Sequence, residues 1–412
     1  MTNRLNTIHK LTAFLVCCML ALLQFAACGA PASGKTASPD PTKEQSAETP
    51  APVSPPSLTD DLILFVNVGK ADATVIRSAG DFYLVDTGTA ESVPALFGAM
   101  NYLGAESVKG VFITHSHSDH VGGLSTLLSH YPVETVYRAD ISDPKKGKRN
   151  PADKAAEKAG KKTVLLSAGE TIGIGGENTA AVLGPLVLNT DDDNDNSLVL
   201  DLRLNGTKIL LAGDMQFAEE ETLLDRYGDG LKTDILRAGN HGNPDATGPA
   251  FAEATDPQTV VISTDRTVDT DSANERVLNL FSGKEILITD ESDLGYLLSF
   301  ENGGKSVIRN IREETGLQLM IEEIDKETQT AVIRNNGPEA DLSGCMLFSE
   351  KGNELFVFPD GAVLAAGGSC TVSGENGNGD FRWPGEKKPW NQKKDDRALL
   401  FDRFGNLLHA LN

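Results

Sequence analysis

The sequence predicts an α/β domain in which helices flank β-sheets, followed by a small all-β sandwich. Three observations carry that expectation. From Leu62 to about residue 310, short apolar runs alternate with helical patterns. After Arg312 the helical patterning disappears, and strand-like runs are separated by Gly, Pro, Asn and Asp. The chain has 412 residues, more than one ordinary core accommodates, so two domains plus tails are expected.

The elements follow in order. Arg4 and Lys10 form a short basic region, Leu11 to Ala27 is apolar, and Ala26-Ala27 precede Cys28. This is a secretory signal layout. With a polar linker after the cysteine it resembles a bacterial lipobox, although Phe25 stands where leucine is usual. The resemblance implies a signal peptide over 1–27, lipidation of Cys28 and an extracytoplasmic protein anchored to the membrane. An uncleaved membrane helix and a freely secreted form are the alternatives. Residues 28–57 are rich in Ala, Pro, Ser, Thr and Gly without apolar periodicity and are expected to be a disordered linker.

The first folded domain is placed at 58–312. Strands are expected at 62–68, 73–78, 82–86, 109–114, 135–139, 163–166, 179–183, 197–203, 207–212, 233–237, 286–288, 294–300 and 305–309. Helices are expected at 91–103, 119–130, 152–160, 216–227 and 273–281. The second domain, 316–412, carries runs at 318–324, 329–335, 345–349, 354–358, 369–373, 398–402 and 406–410. Of its two cysteines, Cys345 and Cys370, spacing alone does not decide between a disulfide and two buried thiols.

The net charge is −22. The segment before Cys28 carries Arg4, Lys10 and no acids, so the mature chain is more acidic still. Such a chain has no global electrostatic footprint for nucleic acid. Two basic stretches interrupt this background. Residues 138–162 hold nine Lys or Arg against four Asp or Glu, and border a phosphate backbone or form an exposed charged helix. Trp383 and Trp390 lie among Arg382, Lys387, Lys388, Lys393 and Lys394, a mixture suited to stacking on bases or sugars. The competing reading has Trp390 closing the sandwich core.

The chemistry is concentrated in His115-Ser116-His117-Ser118-Asp119-His120. This segment closes an apolar strand and opens a helix. His115 and His117 project to one side of extended chain, and the turn brings Asp119 and His120 around a second point. Imidazole and carboxylate together suit zinc, iron or manganese. One short segment can therefore supply ligands to one or two divalent ions. Asp191 to Asp195 has the composition of a calcium loop but lacks its glycine and distal glutamate, so a solvated turn is expected. His130 is expected to sit as a favourable charge at a helix C-terminus, and His409 to be structural or exposed.

This His-x-His-x-Asp-His pattern resembles the signature of the metallo-β-lactamase superfamily, and further pieces follow in the family's order. Asp86-Thr87-Gly88 is similar to its first motif, Ala212-Gly213-Asp214 to the motif with the bridging carboxylate, and Asn240-His241-Gly242-Asn243 to the last histidine motif. Phe65-Val66-Asn67-Val68-Gly69-Lys70-Ala71-Asp72-Ala73 and Asn196-Ser197-Leu198-Val199-Leu200 resemble the hydrolase domain of the competence protein ComEC. Asn67 stands there for Asp, Lys70-Ala71 for Gln-Gly, and Asn240 for the first histidine of a His-His pair. The resemblance implies an αββα sandwich with metal ligands His115, His117, Asp119, His120, Asp214 and His241. It also implies catalytic roles for Asp119 and Asp214 and support of the metal loop by Asp86. Asn196, Ser197 and Asn243 are candidates for holding substrate oxygens.

Because no histidine lies between His130 and His241, the His115/His117 half needs another partner, with Asp214, Asp195 or Asn196 as candidates. That gap, and Asp214 where a β-lactamase has cysteine, argue against β-lactam hydrolysis. A one-ion site at Asp119, His120, Asp214 and His241 is the alternative to a two-ion site. Asp341 to Cys345, Phe358-Pro359-Asp360-Gly361, Trp390 and Leu400 to Gly405 are similar to lamin-tail domains, which are immunoglobulin-like sandwiches. Together these resemblances imply a cell-surface nuclease or phosphodiesterase acting on DNA through a metal-activated hydroxide. The alternatives are a hydrolase of small esters, thioesters or lactones, and a surface binding protein on a degenerate hydrolase scaffold.

Overall fold

Strand Leu62–Val66 shows how the core is laid down. Leu62, Leu64 and Val66 belong to one apolar cluster, and Ile63 and Phe65 to another. Alternate residues face opposite sides of a strand, so a run apolar at every position must be buried on both faces. The computed structural model describes residues 60–142, 148–301 and 305–412. The expected signal peptide, Cys28 and linker lie outside the described residues, as does 143–147 of the first basic stretch. No helix of the described residues is long and apolar enough to cross a membrane.

Two sheets face each other. The first has eight strands in the order Lys305–Ile311, Gly295–Glu301, Leu62–Val66, Thr74–Ser78, Asp81–Val85, Val108–Ile113, Val133–Ala139 and Thr163–Leu166. The second has seven, in the order Glu285–Ile288, Thr259–Ile262, Ile235–Arg237, Thr207–Leu211, Val199–Leu204, Thr179–Gly184 and Thr171–Gly173. Each sheet is antiparallel on one side and parallel on the other, with parallel pairing from Asp81–Val85 outward in the first and from Thr207–Leu211 outward in the second. Ile63, Phe65, Val85 and Phe112 meet Leu200, Leu202, Ile209 and Leu211 between the sheets.

Helices cover both outer faces. Val93–Leu103, Leu124–His130 and Pro151–Lys158 lie on the first sheet. Phe217–Tyr227, Pro249–Thr255 and Glu275–Leu280 lie on the second. The layers are therefore helix, sheet, sheet, helix. Expected helix 119–130 is broken into Ser118–Val121 and Leu124–His130 around Gly122 and Gly123. At both glycines a side chain would meet backbone at 2.3 Å, from Ser118 at Gly122 and from Thr87 at Gly123. Strand Thr259–Ile262 and helix Pro249–Thr255 were not expected from the sequence.

The C-terminal strands form two four-stranded sheets and a short pair, Ala340–Asp341 with Val363–Leu364. One sheet runs Leu319–Asp325, Thr330–Asn335, Ser369–Gly374, Phe381–Trp383, the other Glu354–Val357, Met346–Ser349, Ala398–Phe401, Leu407–Leu411. Both tryptophans are 1% exposed, and their rings meet edge to face at 5.7 Å. The expectation that they stack on bases or sugars is thus corrected: Trp383 as well as Trp390 closes the core. Cys345 and Cys370 are buried free thiols, with burial pushing them up to about 12 and about 11. In the first basic stretch Arg138 pairs with Asp153 and Arg149 with Glu157, so these arginines serve their own helix and its neighbouring strand.

The sandwich is not separated from the helical layer by solvent. Met346, Phe348 and Leu355 belong to the same buried cluster as Leu96, Phe97 and Met100. His130, expected to act at a helix end, has Nδ1 2.9 Å from Thr126 O of its own helix and Nε2 3.2 Å from Leu355 O across the junction. His409 accepts a bond from Ile321 N.

Candidate metal centre

The site is assembled where strands end. Val108–Ile113 delivers Thr114 to His120, Thr207–Leu211 delivers Asp214, and Ile235–Arg237 delivers His241. Asp86 follows Asp81–Val85 and has φ +60, a backbone region L side chains rarely occupy. Asn240 and His241 share this property, with φ +42 and +54. Such strained residues persist only where surrounding contacts over-determine them.

Asp86 supplies those contacts. Its Oδ1 accepts Thr114 N–H at 2.8 Å, and its Oδ2 accepts the Thr114 hydroxyl and His120 Nδ1, both at 2.7 Å. His241 Nδ1 lies 2.7 Å from Ser263 O, which can only accept, so Nδ1 is the donor. In the neutral ring the lone pair then sits on Nε2. Both rings are thus held by one nitrogen and present the other.

The presented atoms converge. His120 Nε2 lies 3.0 Å and His241 Nε2 3.3 Å from Asp214 Oδ2, with Asp119 Oδ2 3.5 Å from His241 Nε2. One ligand atom from each of Asp119, His120, Asp214 and His241 falls within 4.8 Å of the other three. His120 Nε2, His241 Nε2 and Asp214 Oδ1 are buried and make no well-formed hydrogen bond among the described residues. Burial opposes the charge on Asp214, but His120 and His241 outweigh it and hold its carboxyl well below the carboxylate range. Burial likewise opposes the charge on Asp119, and its His241 contact, His120 and Lys70 pull that carboxyl down. Burial disfavours a charged His120, yet Asp214 and Asp86 raise it well above the usual imidazole value. Two ionised carboxylates, two oriented imidazoles and orphaned lone pairs fit a divalent ion.

The other half of the cluster differs. His115 Nε2 and His117 Nδ1 lie 3.0 Å apart, engaged with each other, and His115 Nε2 is 3.9 Å from Asp214 Oδ2. Neither joins a group of three such ligands among the described residues. The suggested partners Asp195 and Asn196 do not fill the gap. Asp195 Oδ1 accepts Gln216 N–H and Glu219 N–H, capping helix Phe217–Tyr227. Asn196 is 1% exposed and bonds Asn189 and Asp193.

Residues 66–264 match the family model of the metallo-beta-lactamase superfamily. This segment is a metallo-β-lactamase superfamily domain. The ComE operon protein 3 of Bacillus subtilis (strain 168) is 26% identical over 193 residues, covering 46% of this chain and 24% of that protein. The competence protein ComA of Neisseria gonorrhoeae is 26% identical over 198 residues, covering 48% of this chain and 26% of that protein. A hydroxyacylglutathione hydrolase of Yersinia enterocolitica is 30% identical over 102 residues, 25% of this chain and 33% of that protein. The chain thus spans about a quarter to a third of the length of these curated relatives. Among solved structures, the metallo-β-lactamase fold protein YhfI of Bacillus subtilis aligns with a TM-score of 0.41 and 14% identity, covering 58% of this chain and all of that one.

The metallo-β-lactamase domain is of the metal-dependent hydrolase class, and its substrate-contact candidates need revision. Ser197 is fully buried and accepts Asp214 N–H at 3.0 Å, so it positions a ligand instead of touching substrate. Asn196 is locked as described above. Asn243 is half-buried, with its amide 3.4 Å from Asp269. The supposed solvated turn at Asp191 to Asp195 is in part a buried scaffold: Asp193 Oδ2 accepts Ser116 N–H and steadies the histidine loop.

Three residues of the site were not foreseen. Arg237 is 1% exposed, contacts Asp72 at 2.5 Å and donates to Gly213 O at 2.6 Å, behind Asp214. Asp72 is buried beside it, and its N–H is donated to Asp119 O. Lys70 donates to Asp119 Oδ2 at 2.9 Å. An arginine in a short apolar strand before His241 was the available signal for the first of them. The other two sit in the Phe65 to Ala73 motif, whose pattern carries the family resemblance but does not show which groups its charges meet.

Proposed function

We propose that the chain is a phosphodiesterase or nuclease working with one divalent ion, and that it acts on DNA outside the cytoplasm while anchored through a lipid on Cys28. The observation that carries the reading is the convergence of Asp119, His120, Asp214 and His241 on one point, with no third ligand for His115 and His117 among the described residues. Charge supports a single ion. Asp72, Asp86, Asp119 and Asp214 face Arg237, Lys70 and the two rings, which leaves about two formal negative charges when the rings are neutral. When bound, such an ion polarises a phosphoryl oxygen and makes water a competent nucleophile near neutral pH.

The protein's own residues do the rest. Asp86 and Ser263 O fix the tautomers of His120 and His241, so neither ring reorganises during turnover. Ser197 and Arg237 hold the Asp214 turn from two sides. Asp119, 19% exposed, is the ligand nearest solvent and orients water beside the centre. Two relatives are named a competence protein and a recombination protein, and recombination acts on DNA, which favours a phosphodiester. The lamin-tail resemblance of residues 316–412 fits a targeting role for the sandwich.

A thioester substrate is the second reading. The match to a hydroxyacylglutathione hydrolase and the net charge of −22 favour it. The test is to incubate the purified chain with Mn²⁺ or Zn²⁺ and single-stranded DNA, double-stranded DNA or a hydroxyacylglutathione. DNA cleavage that falls by about 10²-fold or more in Asp214→Ala is expected. Cleavage of the thioester alone would replace the first reading with the second.

A further inference from the structure

We propose that Lys70 provides the second positive charge of the centre, contacting the anionic oxygen of the substrate beside a single divalent ion. The inference rests on the phosphodiester reading above. Its ground is a juxtaposition. At one end of the histidine cluster His115 and His117 are engaged with each other. At the other end the ligand nearest solvent, Asp119, carries the Lys70 ammonium on Oδ2 at 2.9 Å.

Lys70 is held there by a built loop. Gly69 has φ +74 and makes the turn; Asn67 Oδ1 accepts the Gly69 N–H, while the Asn67 amide donates to Ser292 O at 2.8 Å. On the far side of Lys70, Ala71 N–H donates to Gly69 O and Asp72 N–H to Asp119 O, so the loop and the ligand are tied backbone to backbone. The Lys70 side chain is 27% exposed, unlike Arg237 at 1%, and so can reach solvent and substrate. An ammonium has three N–H donors, and the described contacts engage one. The remaining donors suit a non-bridging phosphoryl oxygen, whose charge the ion alone only partly offsets.

A lysine that merely braced Asp119 would behave differently on substitution. Removing it would weaken the ion's site. A lysine that serves substrate leaves the ligand set intact, and its loss makes the site more negative, so the ion is held at least as tightly while anions are held less.

The experiment uses the full chain as wild type, Lys70→Ala and Lys70→Arg, loaded with Mn²⁺ or Zn²⁺. Metal content is measured by elemental analysis, inorganic phosphate binding by calorimetry, and KM and kcat with bis(p-nitrophenyl) phosphate. The expected result is one ion per chain in all three. Phosphate binding weakens roughly tenfold in Lys70→Ala and largely returns in Lys70→Arg. Phosphate bound equally by wild type and Lys70→Ala would overturn the inference, as would two ions in the wild type or loss of the ion in Lys70→Ala. Lys70-dependent phosphate binding without phosphodiester cleavage would sink the proposed function and leave the role of Lys70 standing. Cleavage unaffected by Lys70→Ala would do the reverse.

Discussion

Asp86 connects the backbone of the metal loop to the chemistry of one ligand. Its carboxylate accepts the N–H and hydroxyl of Thr114 and faces His120 Nδ1. Asp86→Asn keeps one acceptor for Thr114 but presents an amide N–H to His120, which favours the tautomer with its proton on Nε2. That nitrogen then cannot ligate. Metal affinity, measured by competition against a chelator, should fall about 10- to 100-fold while the fold persists. An unchanged affinity would show that Asp86 serves Thr114 alone. The His115 to His120 cluster and Asp86 could be read from sequence because they form a dense, ordered pattern. Arg237, Asp72 and Lys70 could not, since single charges near a motif reveal their partners only once strands distant in sequence are brought together.

At the scale of elements, most of the fold was legible because helical spacing of apolar residues and short apolar runs bounded by Gly, Pro, Asn and Asp announce helices and strands. Three short elements were missed, Thr171–Gly173, Thr259–Ile262 and Pro249–Thr255. Others as short, such as Ile235–Arg237 and Glu275–Leu280, were legible from their apolar runs, so length alone does not separate the two groups. Helix Phe217–Tyr227 was expected, but not what it buries. Burial pushes Glu219 and Glu220 in its first turn up to about 7 each, from an ordinary 4.5. The folded protein therefore holds protons there that the unfolded chain releases between 4.5 and 7. Their stabilisation is full below 4.5 and is lost as pH rises to about 7. Glu219→Gln, which keeps an acceptor for Leu186 N–H, should gain stability over wild type on going from pH 5.5 to 8, on the order of 1 kcal/mol in urea unfolding. A difference that is the same at both pH values would contradict this.

For the molecule as a whole, the boundary expected near residue 312 marks a change of texture, not a gap. The sandwich meets the first helical layer at Gly98, where a side chain would lie 2.2 Å from Phe404 O. Asn101 donates to Arg403 O at 2.8 Å one turn further on. In an isolated helix, Gly98→Ala would stabilise by about 1 kcal/mol. Here it should instead lower the melting temperature, because the added carbon meets backbone that cannot rotate away, at a cost of about 1–3 kcal/mol. A raised melting temperature would mean that the two parts separate freely.

That junction also bears on the order of events during folding. Helix Val93–Leu103 emerges early, yet part of its apolar environment is provided by Met346, Phe348 and Leu355, beyond the catalytic part's last strand. Until those residues dock, an otherwise finished catalytic unit carries an open greasy face. Such a face is a natural handle for chaperones and a hazard when translation stops short. Chains cut near residue 312 should therefore be scarce in soluble extracts even though every proposed metal ligand is present in them.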